Sequence, residues 1–77
     1  MITIDNYSQV EAELNEQLKS QPGFEDWMYF SVELVQGSDD KFTVGYLLPT
    51  SHGVDTDMTL DKALQIYGSV TKQVLSQ

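Results

Sequence analysis

The run Trp27–Val35, WMYFSVELV, is the longest aromatic and β-branched stretch of the chain. Lys41–Leu48, KFTVGYLL, repeats its character on the far side of a GSDD segment. Residues of this kind suit a pleated, half-buried surface, so the two stretches predict a β-hairpin. Alternation puts Met28, Phe30, Val32 and Leu34 on one face of the first strand, and Phe42, Val44, Tyr46 and Leu48 on one face of the second. Both sets must meet the same core, because a slip of one residue would turn either set to solvent. The register that satisfies this pairs Leu34 with Phe42, Val32 with Val44, Phe30 with Tyr46 and Met28 with Leu48. It requires an odd-numbered connection, either Gly37–Asp39 or Gln36–Asp40. The opposite face then carries Trp27, Tyr29, Ser31, Glu33 and Val35 beside Lys41, Thr43, Gly45 and Leu47. Tyr29 sits beside Leu47, with Trp27 at the end of an apolar row.

Helical periodicity flanks the hairpin. Val10, Leu14 and Leu18 recur at intervals of four, with Tyr7 upstream on the same stripe, and predict an amphipathic helix over residues 7–20. Ser8 and Glu11 have the spacing of a capping box, with Asn6 as a competing N-cap. Gln21-Pro22-Gly23 ends the helix, since proline cannot continue the hydrogen-bond ladder. Pro49–Asp57 is a loop by composition. Thr59 then caps a second helix whose apolar positions are Leu60, Ala63, Leu64, Tyr67, Val70, Thr71 and Val74. Gly68 inside it costs about 1 kcal/mol relative to alanine, which points to close packing against another backbone. Ile2 and Ile4 flank Thr3 in a short alternation that reads as a weak N-terminal strand.

The expected fold is therefore α+β, in the order β-α-β-β-α. A two-layer, single domain over residues 1–77 places both helices on one face of a small antiparallel sheet.

Charge changes the picture more than composition does. Residues 1–40 hold Asp5, Glu11, Glu13, Glu16, Glu25, Asp26, Glu33, Asp39 and Asp40 against Lys19 alone, while in residues 41–77 Asp55, Asp57 and Asp61 are balanced by Lys41, Lys62 and Lys72. The net charge of −8 thus belongs wholly to the first half. Such a surface repels phosphates and anionic lipid, so direct nucleic-acid or membrane binding is not expected, and a basic partner is. The absence of cysteine suits a reducing compartment, and the N-terminus MITIDNYSQ has neither a basic nor an apolar leader segment. The expected location is cytoplasmic.

No catalytic signature stands out. His52 lies near Ser51 and Asp55, but groups so close in one loop do not converge as a triad, and His52, Asp55 and Asp57 match no zinc or EF-hand spacing. The glycines form no phosphate-cradling loop. Neither an enzyme, a cofactor nor a metal is expected.

Two features remain. One is the acidic surface of Glu11, Glu13 and Glu16, continued by Glu25, Asp26 and Glu33; the other is the row of Trp27, Tyr29 and Leu47. Aromatic anchors ringed by carboxylates suit a Lys/Arg-rich protein surface. The expectation is a small acidic interaction module that binds and inhibits a basic, nucleic-acid-handling protein, with those nine residues as the partner-binding set. In size, charge and lack of cysteine the chain resembles phage-encoded inhibitors of host defence, including anti-CRISPR and other DNA-mimic proteins. The alternative expectation is a homodimeric structural or assembly subunit that associates through the open sheet face.

Overall fold

Phe30, Val32 and Leu34 pair with Tyr46, Val44 and Phe42 in an antiparallel ladder, in the register that the shared core face demands. The computed structural model describes residues 2–76. Its elements are α1 (Tyr7–Lys19), β1 (Phe30–Leu34), β2 (Phe42–Tyr46) and α2 (Leu60–Leu75). Val35 N donates to Lys41 O at 2.8 Å, so the hairpin loop is Gln36 to Asp40. Gly37, at φ 85°, takes the left-handed turn of that loop, and the Ser38 hydroxyl accepts from the backbone N–H groups of Asp40 and Lys41.

The order of elements is α-β-β-α, which corrects the expected N-terminal strand. Among the described residues, the segment before α1 pairs with no strand. Met1 lies outside the described residues. Thr3 instead closes a turn that leads into α1: its carbonyl accepts from Tyr7 N at 2.9 Å and from Asn6 N at 3.2 Å, while its N–H donates to Asn6 Oδ1 at 2.7 Å. A residue that closes a turn onto itself has no groups left for a ladder. Alternation over so few positions carries little weight against such local bonds.

The helices lie on the Phe30/Val32 side of the sheet. Leu14 and Leu18 of α1, Met28, Phe30 and Val32, and Ala63, Ile66, Tyr67, Val70 and Val74 of α2 form one buried core. Truncating a core residue such as Leu14 to alanine costs about 2–5 kcal/mol. The molecule measures 38 × 26 × 17 Å, and its shortest side is that of one helical layer on one sheet. Thr59 caps α2, its hydroxyl accepting from Lys62 N at 3.2 Å. Such a cap contributes about 1 kcal/mol.

Two packing expectations shift. The buried stripe of α2 runs through Ile66, so Leu60 and Leu64 turn outward to 42% and 39% exposure. On the sheet, Leu34 and Tyr46 belong to the core-facing set yet remain 46% and 42% exposed. For Leu60, Leu64 and Tyr46 the cause is shared, since α2 packs chiefly on α1 and leaves the second strand partly uncovered, whereas Leu34 ends β1 beyond its buried positions. Gly68, expected against another backbone, meets nothing there, because a Cβ built on it finds no atom within 4 Å.

Candidate functional site

The acids expected to face a partner divide by what their carboxylates touch. Glu11 lies on the sheet-facing flank of α1, and its Oε2 accepts from Val32 N at 2.8 Å. This replaces the capping box: α1 begins after Asn6, and Glu11 reaches across to β1 instead of back to Ser8. One helical turn on, Asn15 Oδ1 accepts from Phe30 N at 2.7 Å and its Nδ2 donates to Phe30 O at 3.1 Å. An amide that gives and takes one bond reproduces what a neighbouring strand would offer. The match arises because α1 runs antiparallel to β1. Four helical residues rise about 6 Å and two strand residues about 6.6 Å, so positions 11 and 15 meet positions 32 and 30.

Glu25 is likewise engaged. Its Oε1 accepts from Thr56 Oγ1 at 2.5 Å and from Trp27 Nε1 at 2.7 Å. The Thr56 hydroxyl, and after it the Trp27 indole, hold the Glu25 carboxyl below its ordinary value of 4.5. This cluster ties the approach to β1 to the loop before α2. Trp27 is half-buried against the core and has left the outward row. Leu47, also half-buried, gives its carbonyl to the Tyr67 hydroxyl at 2.6 Å.

What remains outward is Glu13 and Glu16 on the free face of α1, Asp26 before β1, Tyr29 at 50% exposure, and Glu33 on the open sheet face. Asp39 and Asp40 are exposed in the hairpin loop. All of these carboxylates lie on α1, β1 and their connections. The candidate residues are therefore exposed carboxylates spread over α1, the segment before β1, the open face of β1 and the hairpin loop, with Tyr29 as the exposed aromatic among them.

Tyr67, missed as a feature of the sequence beyond its place in the stripe, organises the other side. It is 1% exposed, stacks on Tyr46 at 4.5 Å, and meets Phe30 edge-on at 5.1 Å. Burial pushes its hydroxyl up to about 12. Beside it, Val44, Tyr46, Leu64, Gly68 and Thr71 line an open groove between β2 and α2.

In the loop, Ser51 Oγ accepts from Leu48 N at 3.3 Å, and His52 is exposed. Among the described residues no three His, Cys, Asp or Glu side chains group in a way that could hold a metal ion. No helix among them is long and apolar enough to cross a membrane. No family model, curated protein or solved structure matches the chain.

Proposed function

We propose that the chain is a small acidic interaction module that binds and inhibits a basic, nucleic-acid-handling protein by occupying its cationic surface. The observation that supports this reading is the split of charge between the two halves of the chain, the acidic half being the one that forms α1 and β1. Glu13, Glu16, Asp26 and Glu33 project from α1, β1 and the segment between them, where Lys19 is the sole cation. Glu11 and Glu25 have internal partners and support the surface from beneath. Exposed carboxylates on a rigid helix and strand steer a basic partner and set its orientation, while Tyr29 supplies apolar contact that salt does not screen.

The test begins with a basic protein captured from host lysate on the immobilised chain and then purified. Its affinity should fall steeply with added salt and drop at least tenfold on Glu13→Lys/Glu16→Lys, with no change in the melting temperature of the chain. Affinity indifferent to both salt and charge reversal overturns the reading, as does failure to capture any basic protein.

A further inference from the structure

The two edges of the sheet are unlike. Asn15 and Glu11 occupy two outer N–H groups of β1, those of Phe30 and Val32. Those bonds show that Phe30 and Val32 face away from β2, while Val35 N donates to Lys41 O. By the alternation of antiparallel ladders, the N–H and C=O groups of Phe42, Val44 and Tyr46 point away from β1, toward the open side of β2. Among the described residues no other element bonds to that edge. Immediately beside it runs the groove under α2, where Leu64 and Gly68 stand uncovered.

We propose that two copies of this chain pair through β2, antiparallel about Val44, to form a four-stranded sheet with both α2 helices on one face. Three observations select a second copy as the occupant. First, the strand FTVGY is self-complementary: about Val44, each Phe42 lies opposite the partner's Tyr46, and the outward N–H and C=O groups of Phe42, Val44 and Tyr46 fall into register with one another. Second, β2 and α2 belong to residues 41–77, whose charges cancel, so two chains of net charge −8 would meet through the neutral half of each. Third, Gly68 costs α2 stability and fills no need within one chain. It lines the open groove beside β2, so in the pair the space at Gly68 is left for side chains of the added strand.

Sedimentation equilibrium over a concentration series tests this, read together with amide exchange at Val44. The expected mass is twice 8.7 kDa, with Val44 exchange slowing as concentration rises. Gly68→Gln favours the isolated helix but fills that space, and should give a well-folded monomer. Val44→Pro removes an N–H that β1 does not use and should do the same. Tyr29→Ala, on the other sheet face, should leave the dimer intact. A wild-type chain that stays at 8.7 kDa at every concentration overturns the proposal. So does a dimer that survives either edge substitution in a folded chain, or one abolished by Tyr29→Ala.

Discussion

Glu11 Oε2 accepts the backbone N–H of Val32 at 2.8 Å, so a helix carboxylate stands where a third strand would otherwise be. Asn15 does the same for Phe30 with both halves of its amide. Together they cover the outer edge of β1 at Phe30 and Val32, where a further strand would otherwise add.

Removing that carboxylate should be felt at one amide. Glu11→Ala leaves the Val32 N–H without its acceptor and is expected to cost about 1–3 kcal/mol in urea denaturation. Hydrogen exchange at Val32 should accelerate more than at Val70, which lies in the α2 core. Glu11→Gln keeps an acceptor oxygen and should lose less. Equal stability of wild type and Glu11→Ala would mean that the bond contributes nothing.

Acid should loosen the Glu25 cluster. The Glu25 carboxyl is held below its ordinary 4.5 in the folded chain, so the charged form is favoured by folding. Its contribution is fully present above about pH 4.5 and is lost as pH falls through the lowered folded value. Thr56→Val removes the larger cause. The gap in melting temperature between wild type and this variant should be constant above that pH and shrink below it. A gap independent of pH would dissociate Thr56 from the Glu25 charge.

At the alkaline end Tyr67 sets the limit. Its hydroxyl is raised to about 12 by burial, so folding favours the neutral form, and the contribution is present below the ordinary value of 10.0 and lost as pH rises through about 12. Tyr67→Phe should erase a phenolate absorbance step near pH 12. It should also cost about 1 kcal/mol at neutral pH through loss of the 2.6 Å bond to Leu47 O. Persistence of the step in Tyr67→Phe would assign it to another tyrosine.

The hairpin register was readable because alternation with one shared core face leaves a single solution, and the pairs from Phe30 with Tyr46 to Leu34 with Phe42 follow it. Thr59 was readable too, since a cap is a local matter of one hydroxyl and an N–H three residues on. Glu11 was not. Periodicity sorts positions into apolar and polar, and a polar residue on the flank of a stripe looks solvated until the lateral placement of the helix is known. Trp27 offered a hint, because a half-buried indole N–H needs an acceptor and Glu25 is two residues away, yet Thr56 completes that cluster from across the chain. The outward turn of Leu60 and Leu64 depends on how α2 leans, which the pattern of a single helix does not contain.

Because Glu11 and Asn15 plug one side of the ladder, strand addition to this chain has a single point of growth. A sheet with two receptive sides propagates without end, toward fibrils, whereas one with a single receptive side terminates at the first addition. Under the proposed pairing through β2, the polar flank of α1 would act as a chain stopper and hold the assembly at two copies.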